Sequence, residues 1–172
     1  MTPLQRLVLS SLWLLLTLGF CLTLAFAGQV VGHAAHYPPG AATVVDGDTV
    51  KFPDGRVCRL VGLDAPESDQ PLGAYATAVL RRLVTGEVAV LVYGQDRYRR
   101  DLCWLTNGAV SVNAELVRKG AAETYLLNRT PFAAVLRAVE AEAKAADRGV
   151  WGLPNRESPS DYRKQQRSRV PP

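Results

Sequence analysis

The stretch "ATVVDGDTVKF", residues 42–52, combines β-branched residues with two carboxylates on either side of a glycine. In a strand, side chains two residues apart share a face, so Asp46 and Asp48 would point the same way while Gly47 leaves room for another group. The alternative is a turn, because Asp-Gly is a strong hairpin signal. Since two adjacent carboxylates repel each other unless a cation lies beside them, the stretch indicates either a turn or part of a cation site.

Elements on both sides of this stretch indicate a small mixed domain. Strand patterns recur at 56–67, 87–93 and 102–106, and apolar residues at helical spacing predict helices over 72–83, from Val112 to Lys119 and between Thr130 and Gly149. We expect an α+β, mainly β fold: a five-stranded OB-fold Greek-key barrel with about three packed helices. A mixed α+β sandwich would use the same elements.

Charged residues are unusually dense in the second strand pattern, "RVCRLVGLDAPE", residues 56–67. Arg59 and Asp64 are five residues apart, so an unbroken strand would point them to opposite faces. A bulge at Gly62, or a strand that ends before Asp64, would bring them together. The alternative is that Arg59, Asp64 and Glu67 are separate surface charges.

A third charged group is "DRYRRD", residues 96–101. Arginine forks suit phosphate oxygens, and an aromatic ring beside them can stack or donate a hydrogen bond. A solvated loop would have the same composition.

Together these groups resemble the thermonuclease family, the staphylococcal nuclease-like phosphodiesterases, over about residues 41–152. The matching segments are "VVDGDTVKF" (44–52), "RLVGLDAPE" (59–67), "DRYRRDL" (96–102), "NAELVRKGAAETY" (113–125) and "AEAKAADRGVW" (141–151). The resemblance implies an OB-fold and calcium-dependent cleavage of DNA and RNA that leaves 3′-phosphates.

The resemblance also implies a calcium site. Asp48 and Asp64 match the family's calcium carboxylates, and the backbone carbonyl of Ala65 matches a third ligand. Asp46 would act on the ion through a water molecule. Calcium prefers such oxygen ligands and can polarise a phosphoryl oxygen.

The catalytic residues implied by the resemblance are Arg59, Glu67 and Arg100. Glu67 would activate or orient the attacking water, and the two arginines would hold the phosphate and stabilise its growing charge. Arg99 stands where the family often has glycine, so the backbone near Arg100 is expected to differ. Weaker candidates for phosphate or base contacts are Arg97, Tyr98 and Tyr125.

The first 27 residues have Arg6 as their only charge, followed by an uncharged run from Leu7 to Ala27. The small-x-small ending at 25–27 fits a cleavable signal peptide, whereas the length of the run also suits a membrane anchor. Either interpretation predicts a secreted or extracytoplasmic protein. The anchor interpretation would also attach it to the membrane through residues 7–27. Residues 28–40 are expected to be a linker.

Most of the net positive charge of the chain lies in its last twenty residues. Residues 153–172 contain five basic and two acidic side chains, so we expect a disordered basic tail beyond the domain at 41–152, whose own charge is close to neutral. Cys58 and Cys103 could pair in an oxidising compartment if their strands are neighbours.

Two other functions use the same features. A non-catalytic OB-fold module could bind nucleic acid or protein, although paired carboxylates in a groove would weaken polyanion binding. A structural envelope protein would carry these charges incidentally. We expect a monomer with DNA and RNA as substrates.

Overall fold

The structure is a computed structural model that describes residues 34–169, apart from the side chain of Arg129. The predicted signal or anchor at 7–27, and Cys21 within it, lie outside the described residues. None of the helices in the described range is long and apolar enough to cross a membrane.

Nine strands and four helices make up the described chain. The strands are β1 Ala34–Tyr37, β2 Thr43–Val44, β3 Thr49–Lys51, β4 Val57–Leu60, β5 Leu63–Asp64, β6 Val88–Gln95, β7 Asp101–Asn107, β8 Val110–Ser111 and β9 Glu123–Thr124. The helices are α1 Gly73–Leu83, α2 Val112–Arg118, α3 Ala133–Ala145 and α4 Pro159–Arg169, with 3-10 turns at Leu127–Arg129 and Gly149–Gly152.

Seven of these strands form one curled sheet in the order β1-β6-β7-β4-β3-β2, with β8 paired to β7. All neighbours are antiparallel except β4 and β7, which are parallel. A second, two-stranded sheet joins β5 to β9. This half-barrel with helices confirms the predicted OB-fold α+β class, but the described residues contain nine strands rather than the five predicted, and most of them are short.

The core lies between the curled sheet and the helices, as their patterns require. Val88 and Val90 alternate inward on β6, and Ala76, Val79 and Leu80 form the buried face of α1. Burial of the valine and leucine side chains is worth roughly 1.5–3 kcal/mol each before conformational entropy is counted.

A buried asparagine joins the sheet to α2. The Asn113 amide donates to the carbonyls of Val61 and Cys103 at 3.0 and 3.1 Å, and its oxygen accepts from the amide of Leu105 at 2.9 Å. Asn113 therefore fixes the end of β4 against β7, beside the segment that carries Asp64.

The "VVDGDTV" stretch is a hairpin rather than one strand. β2 and β3 pair with each other, and the Val45 amide closes the turn on the Thr49 carbonyl at 2.9 Å. Asp46 Oδ1 accepts from the Asp48 amide at 3.0 Å, an Asx turn that competes with strand geometry. The stretch is therefore not one continuous strand: the predicted turn is present, and Asp46 and Asp48 lie in it between β2 and β3.

The predicted interruption near Gly62 is confirmed. β4 ends at Leu60 and β5 begins at Leu63. Between them Gly62 has φ +84°, a backbone conformation that residues with a side chain rarely adopt. The break changes the direction of the chain, so that Arg59 Nη2 lies 2.5 Å from Asp64 Oδ1.

The predicted disordered tail is instead an ordered segment over most of its length. Pro159–Arg169 forms α4, in which Ser158 Oγ accepts from the Asp161 amide at 3.1 Å and Pro159 opens the helix. Composition predicted disorder because the segment is polar throughout; ion pairs to the domain order it instead.

The predicted linker 28–40 also contributes structure, since β1 pairs with β6 at the sheet edge. The Tyr37 ring stacks on Phe52 at 3.8 Å, and its hydroxyl donates to Asp54 at 2.6 Å. These contacts, rather than the composition of the segment, fix β1 in place.

Cys58 and Cys103 form a disulfide, with their Cα atoms 5.6 Å apart and both residues fully buried. They meet because β4 and β7 are neighbours, with Leu60 in register with Cys103. The pairing that the sequence left open thus links the strand that carries Arg59 to the centre of the sheet.

Candidate active site

Two buried carboxylates share one arginine at the centre of the candidate site. Asp48 and Asp64 are 3% and 2% exposed, and the Arg59 guanidinium forms ion pairs with both. Burial lowers the pKa of Arg59, and nearby Arg100 lowers it further, whereas Asp64 opposes this shift. The sequence-predicted carboxylates and arginine are therefore brought together from three separate elements.

Close backbone packing places Asp48 beside the segment after β5. A Cβ atom on Gly47 would lie 2.6 Å from the Ala65 Cβ and 2.7 Å from the Ala76 Cβ, so only glycine fits. Asp48 Oδ2 then accepts from the Ala65 amide at 2.9 Å. The expected approach of another group to Gly47 is thus observed, and Ala65 is that group.

Glu67 lies in a turn that follows Pro66. Its amide donates to Gln70 Oε1 at 3.2 Å, and its carbonyl accepts from the Gln70 amide at 2.9 Å. Because Gln70 is buried, it fixes the backbone of Glu67 while the carboxylate faces the cleft. A carboxylate held in this way can take a proton from a water molecule in the cleft.

A second arginine, Arg163 of α4, enters the same cluster. Its Nη2 lies 2.6 Å from Asp64 Oδ2, and its Nη1 lies 3.1 Å from Asp64 Oδ1 and 2.7 Å from Glu67 Oε1. Burial alone would lower the pKa of Arg163, but these charge-assisted hydrogen bonds outweigh it and raise the pKa.

Arg100 lies outside this ion-pair cluster and faces the same cleft from the turn between β6 and β7. Asp96 Oδ2 accepts from Arg100 Nε at 2.8 Å, and Asp96 Oδ1 accepts from the Arg100 amide at 3.0 Å. Burial would raise the pKa of Asp96, but hydrogen bonds from Arg100 and Tyr98 outweigh it and lower the pKa.

Arg99 keeps the turn geometry that glycine would favour, with φ +64°. Its amide donates to the Asp96 carbonyl at 3.1 Å, and the Asp96 amide donates to the Arg100 carbonyl at 2.9 Å. Arg99 thus adopts the left-handed conformation, which costs a residue with a side chain some strain.

The remaining predicted residues line the cleft, which has a volume of about 1020 Å³. Tyr98 is exposed, and the guanidinium of Arg97 lies 4.8 Å from its ring centre. Tyr125 is also exposed, and its amide donates to the Gly62 carbonyl at 2.9 Å. Asp46 lines the cleft as well, while its carboxylate caps the Asp48 turn.

The donor set of the cleft suits a hard cation. Asp48 and Asp64 offer carboxylate oxygens whose joint negative charge requires positive charge beside it, which Arg59 and Arg163 now supply. Within residues 34–169 no three His, Cys, Asp or Glu side chains cluster as a metal site. Two carboxylates and a carbonyl, the set implied by the family resemblance, are oxygen ligands of the kind that calcium prefers.

The sequence interpretation missed Arg163 and its neighbours on α4, although a local signal was present. Ser158, Pro159 and Asp161 form an N-terminal cap signature, and Ser158 Oγ donates to Asp161 Oδ2 at 2.8 Å. Such a signature predicts a helix, whereas the charge of its residues alone predicts disorder.

The protein is an OB-fold half-barrel, and its cleft contains two buried carboxylates that are bridged by one arginine. The family model described as staphylococcal nuclease homologue matches residues 57–152, more than half of the chain. The chain therefore belongs to the staphylococcal nuclease homologue family.

Relatives of known name agree with this family. The chain is 39% identical over 115 residues to an "Uncharacterized endonuclease" of Escherichia coli O157:H7, a match that covers 63% of this chain and 72% of the relative. It is 36% identical over 110 residues to "Staphylococcal-like nuclease CAN1" of Arabidopsis thaliana, covering 63% of this chain and 33% of the relative. It is 31% identical over 119 residues to "Endonuclease Htp3" of Saprolegnia parasitica, covering 61% and 56%.

Proposed function

We propose that this protein is an exported, calcium-dependent endonuclease that hydrolyses the phosphodiester bonds of DNA and RNA and leaves 3′-phosphates. Its family and its relatives support the coarser statement, a hydrolase of the thermonuclease type that acts on nucleic acid. The observation that carries the proposal is the convergence of Asp48, Arg59, Asp64 and Glu67, with Arg100 on the same cleft.

The residues of the cleft have separate roles in this reaction. Glu67 accepts a proton from the attacking water, and Arg59 and Arg100 stabilise the negative charge that grows on the phosphoryl oxygens. Asp48, Asp64 and the carbonyl of Ala65 would hold calcium, which supplies polarisation of the phosphoryl oxygen. Arg163 now occupies both Asp64 oxygens, so it must move when a cation takes its place.

Export is supported by the uncharged N-terminal run and by the disulfide between Cys58 and Cys103, a bond typical of oxidising compartments. Mass spectrometry of the native N terminus distinguishes cleavage near residue 27 from a retained anchor. An intact N terminus on a protein found in the cytoplasm would contradict export.

The activity is tested by digesting DNA and RNA with calcium and with a chelator. Cleavage should require calcium, and Glu67→Gln should reduce the rate by about 10²–10³. The matched control is Glu87→Gln, since Glu87 is an exposed glutamate paired only with His36 at 3.5 Å among the described residues. Equal digestion with chelator, or equal rates for the two variants, would contradict the proposal.

The product ends give a second test. A 3′-phosphate blocks polymerase extension until a phosphatase removes it, so the products should become extendable only after that treatment. Products that are extendable at once would show hydrolysis on the other side of the phosphorus. Binding of oligonucleotide without any cleavage would favour the non-catalytic module instead.

A further inference from the structure

One side of α4 borders the same cleft as the candidate active site. Its four cleft-lining side chains are Ser160, Arg163, Lys164 and Arg167. They are three, four and seven residues apart from the first, so they lie on one face of the helix. Lys164 and Arg167 are exposed on that face.

Polar contacts of α4 and of the segment just before it hold the helix against the rest of the domain. Gln70 Nε2 donates to the Glu157 carbonyl at 2.9 Å, and Arg156 Nη1 lies 2.6 Å from Glu123 Oε1. Arg163 adds its hydrogen bonds to Asp64 and Glu67. The helix is therefore docked by polar contacts at its start and in its middle.

The chemistry of this face indicates what it meets. Apart from Pro159 and Tyr162 all residues of α4 are polar or charged, so the helix presents no apolar surface that would suit a protein or a membrane core. The Lys164 ammonium pairs with Asp161 at 2.8 Å, an exposed contact that is weak and easily exchanged. Arg97 and Arg100 line the same cleft, so cations border it on two elements.

We propose that α4 is a substrate-binding wall of the cleft, on which Lys164 and Arg167 bind phosphates of the nucleic-acid strand that flank the reacting one. Arg163 is a positioning residue in the cation-free protein, in which its ion pairs to Asp64 and Glu67 set where the helix lies. The proposal rests on the proposed function, which places nucleic acid in the cleft. It extends substrate contact to a helix that lies beyond the family match at 57–152.

The test compares two double variants that remove the same charge. Lys164→Gln/Arg167→Gln removes the cleft cations, and Arg81→Gln/Arg82→Gln removes two exposed cations from the last turn of α1, away from the cleft. Circular dichroism confirms that both fold. Fluorescence anisotropy with a labelled single-stranded DNA oligonucleotide, in chelator at 25–200 mM salt, gives Kd and its salt dependence.

For the association constant K, losing two phosphate contacts should make the negative slope of log K against log salt about 1.4 less steep. Binding should also weaken about ten-fold at low salt. The α1 variant should stay within about two-fold of wild type. In digestion, the loss of kcat/KM should follow the rise in Kd. Equal Kd and slope for the two variants, tighter binding by the α4 variant, or no binding by wild type would overturn the proposal.

Failure of the two proposals can be told apart. A wild type that binds the oligonucleotide through α4 but never cleaves it contradicts the proposed function alone. A wild type that cleaves with calcium while the α4 variant binds like its control contradicts the role of α4 alone.

Discussion

Replacement of Arg59 by methionine should leave two buried carboxylates short of positive charge. Arg59 contacts Asp48 and Asp64, and the side chains of these aspartates are only 4% and 3% exposed. Removing one partner of a buried ion pair typically costs about 3–5 kcal/mol. Because Arg163 still pairs with Asp64, we expect the lower end, about 3 kcal/mol of unfolding free energy in chelator.

Calcium should restore much of this loss, since the ion would supply the missing positive charge. At a concentration 100 times its Kd, a ligand that binds only the folded state adds about 2.7 kcal/mol. Urea unfolding followed by circular dichroism at pH 7, with calcium and with chelator, measures both quantities. The same titration reports calcium binding without reference to catalysis.

The matched control is Arg56→Met, next to β4. Arg56 Nη1 lies 3.2 Å from Asp101, and its loss should cost about 1 kcal/mol or less and give no added response to calcium. A loss below 1 kcal/mol for Arg59→Met would refute the charge balance described above. A variant that calcium fails to stabilise would refute the cation site.

Three further outcomes follow from the same structure. Gly47→Ala should cost about 1–3 kcal/mol in urea unfolding and reduce nuclease activity, because its methyl group would lie 2.6 Å from a neighbouring Cβ atom. Replacing both Cys58 and Cys103 by alanine should cost about 4 kcal/mol, the entropy of a cross-link between residues 45 apart, measured by the same unfolding. Asp96→Asn should destabilise the protein at neutral pH but not in acid: the folded pKa of Asp96 is lowered, so its contribution is present above its ordinary value of 3.8 and lost as pH falls through the folded pKa. A difference that persists unchanged at pH 2 would contradict the role of Asp96 in holding Arg100.

Local apolar patterns made the fold class predictable, whereas the residues proposed for the site came from the resemblance to the thermonuclease family. β6 and α1 have clean alternating or helical apolar patterns, and both form as predicted. The break at Gly62 followed from the need to bring Arg59 and Asp64 together, since no continuous strand allows it. The catalytic roles of these residues stay predictions until turnover is measured.

The errors occurred where contacts distant in sequence decide the structure. β1 has a weak strand signal of its own and exists because β6 offers an open edge. α4 buries almost nothing, so a rule based on apolar content predicts disorder, yet Arg163 finds two carboxylates about a hundred residues earlier in the chain. A pairing of that range leaves no mark in local composition.

The position of α4 also bears on how the protein is handled in the laboratory. Arg167 lines the cleft near the end of α4. An affinity tag or a reporter domain joined shortly after α4 would therefore begin close to the cleft, and a histidine tag there would bring metal ligands of its own. Removable C-terminal tags are the safer choice for any measurement of metal dependence.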